Sequence, residues 1–95
     1  MWRLAMVKID VYFSPVCPHC PGAKRLVAEV SSEYGGRVEV EEINTYTREG
    51  IEKGMANGVM AVPTVFVDGV KKFVGFPFSR NALAAAVDDA LARSP

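Results

Sequence analysis

Excess charge of either sign is missing from this sequence: eleven Lys and Arg offset eleven Asp and Glu, for a net charge of zero. With no basic excess and no basic block, the chain has little electrostatic hold on a phosphate backbone, so no nucleic-acid partner is expected. Long apolar runs are also missing. No stretch approaches the roughly 18–20 apolar residues that span a bilayer, so no membrane partner is expected either. The opening Met1-Trp2-Arg3-Leu4-Ala5-Met6 is too short and too interrupted for a secretory signal. It reads as a flexible leader over residues 1–6, with Met6 as an alternative native start. Cysteine is scarce. Cys17 and Cys20 are the only two, and a bridge between them would close too small a loop to restrict the unfolded chain much. They are not a structural framework, and the expected compartment is the reducing cytoplasm. Histidine is scarcer still, with His19 alone. A tetrahedral metal site takes about four ligands. Cys17, His19 and Cys20 crowd into one turn, so a metal or iron–sulfur carrier would have to be a dimer or borrow an outside thiol.

What is present is the composition of an ordinary globular domain, 49% hydrophobic and 23% charged over 95 residues. That length supports one packed core without staples, so residues 1–95 read as a single domain and the expected state is a monomer. Val7, Ile9, Val11 and Phe13 alternate with Lys8, Asp10 and Tyr12, the period of a strand. Ser14-Pro15-Val16 breaks that pattern. Ala23, Leu26, Val27, Val30 and Tyr34 then recur at helical spacing, predicting a helix over residues 22–34 that ends at Gly35-Gly36. Val38, Val40 and Ile43 among glutamates predict a second strand over residues 37–43, near an edge. Thr47 is placed to cap a short helix through Ala56, with Ile51 and Met55 as its apolar pair and Gly50 and Gly54 weakening it. Asp68-Gly69 between two β-rich runs predicts a type I′ hairpin joining Thr64–Val67 to Val70–Val74. Ser79 can cap a last helix whose face is Leu83, Ala86, Val87, Ala90 and Leu91. The order is β-α-β-α-β-β-α. A right-handed helical crossover makes the first two strands parallel, and the hairpin makes the last two antiparallel. The expected fold is α/β: a four-stranded mixed sheet with helices on both faces.

The chemistry gathers in Cys17-Pro18-His19-Cys20, between the first strand and the first helix. A Cys-x-x-Cys pair at such a junction is a redox signature. The thiolate is the attacking species, and a free cysteine with a pKa of about 8.5 is only a few per cent ionised at neutral pH. With Cys17 as the N-cap of the helix, its sulfur would face the unbonded N–H groups of the first turn, and a protonated His19 would add positive charge beside it. Pro18 would then suit the first helical position. Pro21 would withhold an N–H from the Cys17 carbonyl and distort the turn. Cys17, at the loop edge, is expected to attack a substrate disulfide. Cys20, one turn on and facing inward, is expected to resolve the mixed disulfide, so the redox-active Cys17–Cys20 pair needs no cofactor. Val62-Pro63-Thr64 opens the third strand; a cis Pro63 beside Cys17 would leave the Val62 backbone able to pair with an extended peptide. Phe76, Phe78 and Tyr12 read either as core or as an apolar rim for a docked partner.

Taken together, Cys17-Pro18-His19-Cys20, Val62-Pro63-Thr64, the Asp68-Gly69 hairpin and Val74-Gly75 resemble the thioredoxin/glutaredoxin superfamily, in its order and spacing along nearly the whole chain. The stretches from Phe13 to Pro21 and from Met60 to Thr64 are most similar to the short, glutaredoxin-sized archaeal thioredoxins. The resemblance implies a protein-disulfide reductase with Cys17 as nucleophile and Pro63 cis. It places Val62, Thr64, Gly75 and Phe76 where substrate meets the enzyme, and it implies disulfide-containing proteins as substrates and a thioredoxin reductase as electron donor. The same cysteines would also serve a glutathione-linked glutaredoxin or a disulfide oxidase. Val16 stands where typical thioredoxins have Trp, and Pro18-His19 where they have Gly-Pro; Pro-His is the dipeptide of periplasmic disulfide oxidases. Val11 stands where they bury an Asp, and Asp10, one residue off, is turned by strand parity to the opposite face. The proton acceptor for Cys20 is thereby left unassigned.

Overall fold

Alternation in the first β-rich run becomes β1, Val7–Phe13, the strand around which the others assemble. The computed structural model describes residues 6–93. Apart from Met6, the leader expected at the N-terminus lies outside them. After β1 come α1 (Cys20–Ser32), a single 3₁₀ turn (Gly35–Arg37) and β2 (Val38–Asn44). They are followed by α2 (Arg48–Ala56), β3 (Thr64–Val67), β4 (Val70–Val74) and α3 (Arg80–Arg93). The sheet order is β2-β1-β3-β4, with β1 parallel to β2 and antiparallel to β3, and β3 antiparallel to β4. This is the expected mixed four-stranded sheet, with β2 on an edge. The β3–β4 turn also follows expectation: Asp68 and Gly69 have φ of 50° and 82°, the two left-handed positions that a type I′ turn needs. Asp68 further ties the hairpin to β1, its N–H donating to the Lys8 carbonyl and its Oδ1 accepting from the Lys8 N–H.

Strand parity divides the core. Val7, Ile9 and Val11 of β1 and Val65 and Val67 of β3 point to one face. There they pack with Val27 and Val30 of α1 and Leu83, Val87 and Ala90 of α3. Tyr12, Ile43 and Phe66 point to the other face and form a smaller cluster with Val59 and Val62, beside α2. Tyr12 is therefore core rather than rim. Among the described residues no helix is long and apolar enough to cross a membrane.

Three local expectations are corrected. The first helix starts two residues earlier than its apolar face suggests, and it stops at Ser32 with Glu33 as C-cap, ahead of the glycine pair. The second strand is shifted by one residue, to Val38–Asn44. The inward face of α2 is not Ile51 and Met55, which are 47% and 76% exposed, but Gly50 and Gly54, which are buried. The helix lies so close to the end of β2 that position 50 has no room for a side chain. A Cβ on Gly50 would lie 1.8 Å from the Asn44 carbonyl oxygen. The cap is as expected: Thr47 Oγ1 accepts the Gly50 N–H at 3.0 Å.

Candidate active site

The end of β1 delivers the chain to Ser14, whose carbonyl accepts the Cys17 N–H at 3.2 Å and turns Cys17 towards the surface. Helix α1 begins only at Cys20, with His19 as N-cap. Cys17 is therefore not the N-cap and Pro18 is not the first helical residue, as the sequence pattern suggested. Pro21 explains the difference. Without an N–H it cannot close a helical bond to the Cys17 carbonyl, so a regular turn is first anchored by the Ala23 N–H on the His19 carbonyl at 3.2 Å. At the second helical position Pro21 loses nothing, because that N–H has no partner within the helix. Pro18 and His19 are both exposed.

The two cysteines are free thiols in different surroundings: Cys17 is half-buried, and Cys20 is 1% exposed. Burial, and next the hydrogen bond with Cys17, push the Cys20 thiol up to about 11; the Ser14 backbone and Lys24 act weakly the other way. Lys24 lies with its Nζ 4.1 Å from the centre of the Phe13 ring and 3.5 Å from Glu42. Asp10 follows the parity argument and sits on the α2 face with Lys8, its Oδ1 3.5 Å from the Lys8 Nζ. Among the described residues no group of three His, Cys, Asp or Glu side chains is arranged to hold a metal.

A raised Cys20 pKa has a consequence for stability. Above the ordinary cysteine value of about 8.5 the unfolded chain gives up this proton while the folded chain keeps it, so stability must fall with pH. The contribution is complete below that value and is lost as pH climbs to the folded value of about 11. Melting temperatures of the reduced protein should therefore decline across this window, and Cys20→Ala should flatten the decline. An identical slope in that variant would show that Cys20 is not its source.

The Val62-Pro63 peptide bond is cis, and so is Phe76-Pro77, which sequence reading did not anticipate. The cis Pro63 turn brings the Val62 carbonyl within 3.8 Å of the Cys17 thiol, which donates to it. Thr64, expected at the substrate face, is buried, and its hydroxyl donates to the Ala61 carbonyl at 2.6 Å, closing that turn. The Gly75 N–H donates to the Pro63 carbonyl at 2.7 Å, with Gly75 at φ 91°. The structure thus gathers Cys17, Cys20, Val62, Pro63 and Gly75 at one end of the sheet, and Phe76, next after Gly75, lies against Gly22 of α1. On the α2 side of Val62 a groove of about 320 Å³ is lined by Tyr46, Val59, Met60 and Val62. Met60 is 94% exposed there. Tyr46 and Met60 carry no local pattern that would have marked them, because an exposed apolar residue in a loop is common.

Known proteins resemble this chain in sequence and in fold. A thioredoxin-domain family model matches residues 7–88. A thioredoxin of Methanocaldococcus jannaschii is 46% identical over 84 residues, which cover 88% of this chain and 95% of that protein. A probable thioredoxin of Methanothermobacter thermautotrophicus is 42% identical over 84 residues, with the same coverage of 88% and 95%. Among solved structures, a thioredoxin-like protein from Clostridium perfringens superposes with a TM-score of 0.76 at 17% identity, covering 97% of this chain and 76% of that one. The fold, the family model and the archaeal relatives agree: this chain belongs to the thioredoxin family, as an archaeal-type member whose chemistry is thiol–disulfide exchange.

Proposed function

We propose that this protein is a cytoplasmic, monomeric reductase of protein disulfides, re-reduced by a thioredoxin reductase and needing no cofactor beyond the Cys17–Cys20 pair. One observation carries the reading: the two thiols are unequal. Cys17 reaches the surface beside the Val62 carbonyl, while Cys20 is sealed in and held at about 11. Cys20 keeps its proton and is closed to substrate, which leaves Cys17 as the thiol that an outside disulfide can reach.

Cys17 attacks one sulfur of the substrate disulfide, and the other sulfur leaves as a thiolate. The substrate segment lies along the Val62 backbone, with Gly75 bounding the site and Thr64 holding the turn from beneath. Cys20 then attacks Cys17, a disulfide forms between them, and the freed substrate sulfur takes up the proton that Cys20 gives up. His19, exposed at the head of α1, adds charge near Cys17 when protonated, and Pro18 keeps the connecting turn short of an N–H. The test is trapping. Cys20→Ser should accumulate a mixed disulfide with an oxidised protein substrate, visible as a covalent adduct on non-reducing gels and dispersed by dithiothreitol. Absence of the adduct, with Cys17 intact and reactive, would remove Cys20 from the resolving step.

A further inference from the structure

Gly22 lies two residues past Cys20 and occupies the first turn of α1, where glycine weakens a helix. Its reason lies 54 residues away, in Phe76. A Cβ on Gly22 would stand 2.8 Å from Phe76 Cε2 and 2.9 Å from Cζ. Carbon atoms rest about 3.5–4.0 Å apart, so a methyl group there would drive ring and helix apart by roughly 0.7 Å or more. The ring has little freedom to swing away. It meets Phe78 edge-on at 5.6 Å, and Phe78 stacks on Phe73 of β4 at 4.7 Å. Its chain neighbour Gly75 is hydrogen-bonded to the Pro63 carbonyl. Three contacts therefore form a closed circuit around the site: Cys17 to Val62, Pro63 to Gly75, and Phe76 to Gly22.

We propose that the Phe76 ring, seated on the bare backbone of Gly22, is a strut that sets how near the first turn of α1 brings Cys20 to Cys17, which makes Phe76 a positioning residue for resolution of the mixed disulfide. The inference rests on the assignment of Cys20 as the resolving thiol. Attack on an outside disulfide needs only Cys17 and its approach from solvent. Resolution needs two sulfurs of the chain itself in line, and one of them rides on the turn that Phe76 supports.

One equivalent of the chromogenic aromatic disulfide dithiobis-nitrobenzoate separates the two steps. Attack by Cys17 forms a bond to one aryl sulfur and releases the first aryl thiolate. Attack by Cys20 on Cys17 then forms the internal disulfide and releases the second, the Cys20 proton passing to buffer. Gly22→Ala should leave the first release within about twofold and slow the second about tenfold or more, since displacements near 1 Å at reacting groups cost up to a hundredfold. Adding Phe76→Leu, which removes the two clashing ring atoms, should bring the second release back to within about threefold of the parent. Equal slowing of both releases, no slowing, or no recovery in the double variant would overturn the strut. Should Gly22→Ala not fold, Phe76→Leu alone decides: the ratio of second to first rate should drop about threefold, and an unchanged ratio would overturn the proposal. Cys20→Ser keeps the two claims apart. It should release one aryl thiolate only, and a second release from it would overturn the resolving assignment whatever the strut does.

Discussion

Cys17→Ser is expected to abolish insulin reduction with dithiothreitol as electron donor, by more than about a hundredfold, since losing an essential nucleophile leaves only what binding supplies. The size of the effect follows from how little Cys20 can do in its place. Cys20 is 1% exposed, so no protein disulfide can approach its sulfur in line. Burial is the larger cause of its raised pKa, and burial survives the substitution; the hydrogen bond with Cys17 is the lesser one. A thiol whose pKa burial raises is scarcely ionised at pH 7, so it is a poor nucleophile. Serine keeps nearly the shape at position 17 and a donor that can face the Val62 carbonyl, so the loss is one of chemistry and not of fold. Turbidity from precipitating insulin chains reads the result. Activity within a few-fold of the parent would mean that another group attacks, and the division of labour between the two thiols would be wrong.

The largest expected effect on stability lies away from the chemistry, at Gly50. Gly50→Ala puts a methyl group 1.8 Å from the Asn44 carbonyl oxygen, 2.6 Å from its carbon and 3.0 Å from Thr47 Oγ1. The first two are backbone atoms at the end of β2 and cannot rotate away. Relief requires the start of α2 to lift from the sheet. That breaks the Thr47 cap on the Gly50 N–H and the bond from the Thr47 N–H to the same Asn44 carbonyl. Overpacking against a rigid neighbour together with loss of a cap places the cost at about 3 kcal/mol or more. At roughly 4–8 °C per kcal/mol for a domain of this size, the melting temperature should fall by about 12–25 °C. Gly54→Ala, one turn on, is the internal control. Its nearest contact would be Val59 Cβ at 3.6 Å, with Tyr12 ring carbons at 3.8 and 3.9 Å, all ordinary packing distances. There the better helix former should gain up to about 1 kcal/mol. Circular-dichroism melts of the two variants should thus move in opposite directions. A Gly50→Ala protein melting within a degree or two of the parent would refute the close approach of α2 to Asn44.

Much of the molecule was legible from local pattern alone. A period of two in Val7–Phe13, a period of 3.6 in the first and last helices, and the left-handed pair Asp68-Gly69 each rest on backbone geometry a few residues long. Chain order then dictates the mixed sheet, because a helical crossover and a tight hairpin each permit one strand direction. The cysteine motif belongs to the same class: two thiols three residues apart announce exchange chemistry before any contact is known.

What the tertiary structure alone decided involves residues far apart in sequence. Ile51 and Met55 are apolar at helical spacing and looked like the inward face. The structure turns them outward, because α2 lays Gly50 and Gly54 on the sheet, and at Gly50 the Asn44 carbonyl leaves no space for any side chain. Hydrophobic pattern records what a side chain would gain by burial, and it is silent on whether there is space. Cys17 looked like an N-cap because its motif precedes the helix. Pro21, lacking one N–H, moved the start of α1 to Cys20, so the inequality of the two thiols comes from burial and from their mutual hydrogen bond. Gly22 had no visible purpose until Phe76 arrived from the other end of the chain to occupy the space it leaves. Local sequence determined which elements form and where the sulfur chemistry resides; the distances between elements, which decide which thiol is shielded and which face of a helix is buried, are set by contacts that no local pattern encodes.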